Sequence, residues 1–428
     1  MNAPEVQQFI EKNYRHNFTF NLLDGATFWL GYSLIAPSLI LPLYASHFTN
    51  NNLLLGIIPS IGSAGYLFPQ LFTSNWVQRL PRKKVMPVNL GFFTERLPIF
   101  LLPLSVFLFA EHNPALALIV FFFLYTWHSF GAGIVAVGWQ DMLAKIFPTD
   151  RRGRFLGLTN FLGNGTGVLG SAGAAWLLAS FAFPQGYAVT FSAAAVFIFI
   201  SWLSIAQTRE PEVLTTTEKH SQVDFFKKLP GVIRSDANFR KYLFTQIVVT
   251  LGGMANGFLI IYAVRQWNLP DSAGGYFTSA MLIGQALANL AFGTLADRKG
   301  HKLVLEISIF CSICVVGLAV FAPTPEYFYA VFALRGASAA GAILSGIAIS
   351  LEFSSPEMRP TYIGLSNTIS GSAAIIAPLI GGWLANVLGF QNLFIISFCI
   401  VLTGFSLMHW FVLEPRKHVD GTIPILES

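Results

Sequence analysis

Charge is the scarcest thing in this sequence. Only 11% of the 428 residues are Asp, Glu, Lys or Arg, against roughly 25% in a soluble domain. Hydrophobic residues make up 54%, and the mean hydropathy is +0.59. That shortage excludes a water-facing globular body and points to a chain solvated largely by lipid. Cysteine is nearly absent too: Cys311, Cys314 and Cys399 are the three, all inside apolar runs. One Cys-x-x-Cys pair with no second cluster or neighbouring His is a weak metal signal, and packing as small hydrophobes accounts for all three. No His-Glu-x-x-His, nucleophile elbow or phosphate-cradling glycine loop occurs, so a membrane-embedded enzyme is not expected. Neither metal nor cofactor is expected.

Basic residues are missing from one side of the chain. All 26 Lys and Arg except Arg96, Arg265 and Arg335 fall at the N-terminus, in alternate loops, in a central polar stretch or at the C-terminus. Arg265 alone lies on the opposite side, and Arg96 and Arg335 lie within apolar segments. Positive loops stay in the cytoplasm, which predicts cytoplasmic termini in a multi-pass plasma (inner) membrane protein. The net charge of +5 then reflects topology: nucleic acid is not an expected partner, while membrane lipid and a small-molecule solute are. Met1 to Asn17 is polar, and the apolar run after it is too long for a cleaved signal peptide.

Long apolar runs are what the chain has in place of charge. Twelve approach or exceed the about 20 helical residues that cross a hydrocarbon core: 18–46, 53–77, 84–110, 114–141, 155–182, 186–207, 240–264, 272–296, 302–322, 326–352, 361–388 and 391–413. Their length excludes barrel strands, so they are read as helices, with every backbone group satisfied inside lipid. Residues 1–206 read as one six-helix bundle and 240–428 as another. The stretch 207–239 reads as a cytoplasmic linker, flexible at Thr215–Ser221 and with a short amphipathic helix at Phe225–Ile233.

Three pairs of short segments recur about 204 to 219 residues apart, the mark of a duplicated unit. Gly293-Thr-Leu-Ala-Asp-Arg-Lys-Gly-His-Lys302 has a worn counterpart in Ser74-Asn-Trp-Val-Gln-Arg-Leu-Pro-Arg-Lys83. Asp150–Asn160 aligns with Glu357–Asn367, and Glu210-Pro211 with Glu414-Pro415. The 293–302 segment resembles the signature loop of the major facilitator superfamily, with His301 at one basic position. In that superfamily the richer copy usually sits in the first half; here it sits in the second. The resemblance implies an all-α membrane protein of twelve transmembrane helices in two pseudo-twofold-related six-helix bundles, working by rocker-type alternating access. The Gly-Pro-rich run Gly371–Gly382 is similar to one that drug antiporters of the superfamily carry in the fifth helix. It lies in the opposite half here, so that label does not follow.

An ionisable group inside a span defaults to a functional hypothesis. Asp24, Glu95, Arg96 and Arg335 are such groups, with His128 a fifth, and their formal charges sum to zero with His neutral, which suggests internal pairing. In the implied fold His128 and Arg335 stand at equivalent places on the fourth and tenth helices, facing each other across a central cavity. Arg335 shares its helix face with Val331, Phe332, Ser338, Ala339, Ala342 and Gly346, which leaves room to grip a carboxylate or phosphate; a structural ion pair is the other reading. His128 shares its face with Tyr125, Val135 and Trp139, and a buried neutral His bonded to a neighbour is equally open. The expected substrate-binding set is Arg335, His128, Tyr125, Trp139, Asn256, Gln246, Asn164 and Gln285, each of the amides also fitting an interhelical hydrogen bond.

Asp24 stands on a stripe with Asn17, Asn21, Thr27, Phe28 and Gly31, which reads as a cavity wall and makes it a proton carrier, or else a cap near the membrane surface. Glu95, a second coupling candidate, and Arg96 are adjacent and about 100° apart, so they are not expected to pair with each other; one of them should meet Asp24 or a group of the second helix. Asp297, Arg298, Gln78, Arg79 and Arg152 form the expected cytoplasmic gate, with Asp297 docking near Arg151, Arg152 and Arg154 through helix-end and guanidinium attraction. The six glycines at positions 157, 163, 165, 167, 170 and 173 suit either a sliding gate helix or static packing. These readings converge on a monomeric, proton-coupled secondary transporter of a small organic solute. An efflux pump for amphipathic compounds or lipids and a non-transporting sensor are the alternatives.

Overall fold

Apolar runs of this length become helices, and the local signals that start and stop them are visible in the computed structural model, which describes residues 3–212, 236–354 and 358–415. In chain order the helices are α1 (Ala3–Ile35), α2 (Ile40–Ser46), α3 (Asn52–Arg79), α4 (Leu97–Phe109), α5 (Pro114–Ile146), α6 (Thr149–Ser180), α7 (Gln185–Ala206), α8 (Ala237–Gly252), α9 (Leu259–Trp267), α10 (Ser272–Lys299), α11 (His301–Phe321), α12 (Tyr327–Glu352) and α13 (Arg359–Phe411). No strand occurs among the described residues. The Asn51, Asn113 and Asp236 side chains cap α3, α5 and α8 by accepting from Leu53, Leu116 and Phe239 amides at 3.0, 3.1 and 2.8 Å, satisfying donors that a helix start leaves open. The expected linker features at Thr215–Ser221 and Phe225–Ile233 lie outside the described residues.

Among the described residues ten stretches are long and apolar enough to cross a membrane, against the twelve the sequence predicts. Both differences are local. α6 opens on Arg151, Arg152 and Arg154 and carries seven glycines, which lowers its apolarity. The stretch Thr361–Phe411 counts once although Gly389 breaks it, with φ 80° and ψ 169°. Large apolar side chains are turned outward, among them Phe321 at 82% and Trp410 at 76% exposed. With no polar shell over them, these side chains need lipid as their solvent.

Before α4 the chain is wound with wider π turns at Met86–Leu90 and Phe92–Arg96. Proline explains the second: Pro98 has no N–H to give the Thr94 carbonyl, so the α ladder cannot continue through it. Side chains take up carbonyls of this segment, Trp202 Nε1 donating to Val88 O and His128 Nδ1 to Glu95 O, each at 2.8 Å.

Contacts divide the chain into two units. The first is Met1–Glu218 with Ile260–Ser279; the second is Lys219–Leu259 with Ala280–Ser428. In the first, α1 packs on α6 and α7, α3 on α5, and α4 on α5 and α7. In the second, α11 packs on α12, and α13 on α8 and α11. Each unit has backbone crossings that only glycine allows. A Cβ at Gly133 of α5 would strike the Gly65 carbonyl of α3; one at Gly336 of α12 would strike the Met281 carbonyl of α10. The glycines of α6 divide: Gly163 and Gly170 press on Trp29 and Leu30 of α1, whereas Gly157 and Gly165 have no atom within 4 Å of a built Cβ.

Candidate functional site

Three charged side chains meet inside the first unit. Asp24 of α1, Glu95 and Arg96 are 7%, 8% and 4% exposed. Arg96 Nη1 donates to Glu95 Oε2 at 2.9 Å, and its Nη2 stands 4.0 Å from Asp24 Oδ1. The pairing of Glu95 with Arg96 corrects the sequence expectation. An ideal α turn would splay neighbouring side chains apart, but here the backbone is π-wound and the long Arg side chain folds back. Ser201 Oγ of α7 donates to Asp24 Oδ1 at 2.6 Å, and the Arg96 guanidinium lies 5.9 Å from the Phe28 ring centroid. Arg96 Nε is buried without an acceptor.

His128 joins this cluster through the Glu95 carbonyl, with Tyr32 tilted against its ring at 6.2 Å. Chemically the cluster is two carboxylates sharing one guanidinium. Ionised throughout, it holds one surplus negative charge, which a single proton removes; a buried unpaired charge costs several kcal/mol.

On the polar face of α1, Asn17 and Asn21 are covered by the chain that follows α7. Asn17 bonds both the N–H and the carbonyl of Arg209 at 2.8 Å, and Asn21 donates to Thr208 Oγ1 at 3.0 Å. These residues fasten the chain leaving α7. Just beyond, Glu210 accepts the backbone amides of Lys83 and Lys84 at 2.8 and 2.7 Å and pairs with Lys145 at 2.9 Å. Its counterpart Glu414 brings its carboxylate beside Gly300, whose φ of 95° suits a residue without Cβ. The repeated Glu-Pro pair was legible in the sequence; the job of its carboxylate was not.

The other expected site residues are spread out. Tyr125 presents its hydroxyl to Gly62 of α3. Trp139 packs with Val88, Met142 and Phe155. Gln246 donates to Tyr242 Oη at 2.8 Å, beside the Gly346 carbonyl that Tyr242 also reaches. Asn256 follows the 3₁₀ turn between α8 and α9, and Asn164 and Gln285 are half-buried on α6 and α10. Arg335 is half-buried on α12, with no hydrogen bond or ion pair to a described residue. The four membrane charges therefore divide three and one.

Of the expected gate residues, Arg79, Asp297 and Arg298 are exposed at helix ends. Arg152 Nε donates to the Phe147 carbonyl at 3.0 Å and another of its nitrogens to that of Ala144, so it caps α5. Arg151 lies over the Tyr14 ring at 5.0 Å. The Gln78 side chain lies outside the described residues. Sequence reasoning missed a second tie in the first unit, where Ile260–Ser279 meets the end of α2, the start of α3 and the body of α6. His47 pairs with Asp271 at 2.7 Å, Arg265 donates to Asn52 at 3.1 Å, and Ser171 and Ser279 hydroxyls bond at 2.8 Å. The one signal available was Arg265, the single basic residue on its side.

Residues 25–263 and 242–425 match the Major Facilitator Superfamily. The chain belongs to that superfamily, a family of integral, multi-pass membrane transporters rather than enzymes. Among curated relatives it is 25% identical over 169 residues to the niacin transporter NiaP of Acinetobacter baylyi, covering 40% of this chain and 37% of that protein. It is 32% identical over 153 residues to the multidrug resistance protein MdtG of Serratia proteamaculans, covering 36% and 35%. The matched stretches thus span little over a third of these relatives. Among solved structures, a mutant of the nucleoside transporter NupG superposes with a TM-score of 0.72 at 14% identity, covering 92% of this chain and all of that one. The D-xylose-proton symporter superposes with a TM-score of 0.71 at 12% identity, covering 93% and 98%. These structural likenesses carry the fold.

Proposed function

We propose that the chain is a secondary active transporter that moves a small organic solute by alternating access and couples that movement to protons. In this reading residues 1–206 and 240–428 are its two bundles and 207–239 its cytoplasmic linker. It works as a monomer among the lipids of the plasma (inner) membrane, with both termini in the cytoplasm. The observation that carries the coupling is the buried pair of carboxylates, Asp24 and Glu95, around the single cation Arg96. A proton bound there in one state and released in the other changes the charge of the first unit's interior. Such a change biases one arrangement over the other only as far as the proton's affinity differs between them. Arg335, His128 and the half-buried amides are assigned to the solute, and Asp297 with its neighbours to the cytoplasmic gate. A small organic solute is supported by relatives named for niacin and benzoate, and a proton by the structural neighbour named as a xylose-proton symporter.

The test is uptake of labelled benzoate into proteoliposomes under an imposed pH gradient. The parent protein accumulates solute with the gradient, and Asp24→Asn loses the dependence. A variant that keeps full gradient-driven accumulation removes Asp24 as the carrier. One observation favours a second reading, efflux of amphipathic compounds: the match to a multidrug resistance protein. Under that reading overexpression protects cells from amphiphilic inhibitors, while an importer leaves them unprotected.

A further inference from the structure

Arg335 lies among helices that leave one direction open. On α12, Ala333 and Gly336 press against Gly284 and Met281 of α10. Ser338 is bonded to α11 through Ser308 and Ser312, and Gly341 also packs there, against Ser308. The third face, on which Arg335 stands, continues through half-buried Ala339, exposed Ala342 and half-buried Gly346. A Cβ built at Gly346 meets no atom within 4 Å. Phe328, Val331 and Phe332 are buried at the other end of this face. The result is a lane of small residues leading to one guanidinium, closed by aromatic and aliphatic side chains behind it.

No described carboxylate answers that cation. In the second unit Asp236 caps α8, Glu306 pairs with Lys302 and His409, Glu352 faces His301, and Glu414 lies beside Gly300. Asp297 is in the last turn of α10, and Glu326 precedes α12. In the first unit, Asp24 and Glu95 are engaged with Arg96. An arginine inside a span is costly and is kept there for a partner; where the described residues supply none, the partner comes from outside. A planar guanidinium fork matches the two oxygens of a carboxylate or phosphate and is a poor match for a cation or a neutral hydroxyl.

We propose that Arg335 binds the anionic oxygen group, carboxylate or phosphate, of the transported solute, so that the substrate is a small organic anion. This rests on the transporter reading above and names its substrate class. The lane along Ala339, Ala342 and Gly346 admits the remainder of the solute, and the unpaired fork fixes its charged end.

The test uses the purified full-length protein with benzoate, acetate and phenyl phosphate as anionic probes and benzamide as the neutral match for benzoate. At millimolar concentration at least one oxyanion raises the melting temperature and benzamide does not. Arg335→Gln abolishes the oxyanion shift, and Arg335→Lys, which keeps charge without the fork, retains only part of it. Should Arg335→Gln fail to fold, Gly346→Cys on a background with Cys311, Cys314 and Cys399 changed to Ser provides a second reading: the oxyanion slows maleimide labelling of that cysteine, and benzamide leaves it unchanged. The assignment is overturned if benzamide acts as strongly as benzoate, if oxyanions stabilise Arg335→Gln as well as the parent, or if no oxyanion acts in either assay. Uptake separates the two levels. Arg335→Gln protein that still accumulates a neutral solute under a pH gradient defeats the anion assignment alone, whereas a parent protein that moves none of the probes defeats the transporter reading.

Discussion

In the first unit Asp24, Glu95 and Arg96 lie within reach of one another, with Ser201 bonded to Asp24 and His128 to the Glu95 carbonyl. In the second, Arg335 has an open face and no protein counter-ion among the described residues. The two units carry matched sequence segments, yet their buried charge is arranged differently. In the proposed reading the cluster with one surplus negative charge takes the proton and the guanidinium takes the anion, and co-transport of one proton with one monoanion moves no net charge.

The largest effect that can break this comparison is on stability. Arg96→Gln leaves two buried carboxylates facing each other, and removing one member of a buried pair costs about 3–5 kcal/mol. Arg335→Gln, which removes no partner, should change the melting temperature little. Melting both variants in detergent checks this, and equal losses would mean that Arg335 is structural after all. Next in size, Asp24→Asn keeps an acceptor for the Ser201 hydroxyl, so its stability change should stay near the about 1 kcal/mol of one hydrogen bond while gradient-driven uptake collapses. Glu95→Gln run beside it tells which carboxylate carries the proton.

A finer probe is the membrane potential. Benzoate uptake under a pH gradient should keep its rate when valinomycin and potassium impose a voltage, and a strong voltage dependence would break the one-to-one pairing of proton and anion. The smallest effect concerns Asp271→Asn, which deprives His47 of an exposed partner worth about 0–1 kcal/mol. It should still raise maleimide labelling of a cysteine at Ser279, because the tie of Ile260–Ser279 to the rest of the first unit is weakened.

Much of this was legible in the sequence because it depends on neighbours along the chain. Apolar length predicts helices, and an ionisable residue in the middle of a span announces itself, as Asp24 and Arg335 do. Partnership was another matter. Ser201 lies 177 residues from Asp24, and Asp271 lies 224 from His47; no local pattern states that such residues meet. The π winding at Phe92–Arg96 was hidden for a related reason. Pro98 says where an α ladder must fail, but whether the chain kinks or widens there depends on what approaches, here the Gly131 backbone against the Thr94 carbonyl. Asn17 and Asn21 were read as facing open space because their periodicity is that of any exposed stripe; the Thr208–Arg209 segment that covers them comes from the far end of the unit.

The mooring of Glu210 has a mechanical consequence. Its carboxylate ties the chain leaving α7 to the amides of Lys83 and Lys84, at the threshold of the π-wound segment that ends in Glu95 and Arg96. A widened turn holds one surplus residue, and tugging on its end is the way to pass that residue along the rod. Any pull on the chain leaving α7 is thus carried to the backbone that holds Glu95 and Arg96, beside Asp24.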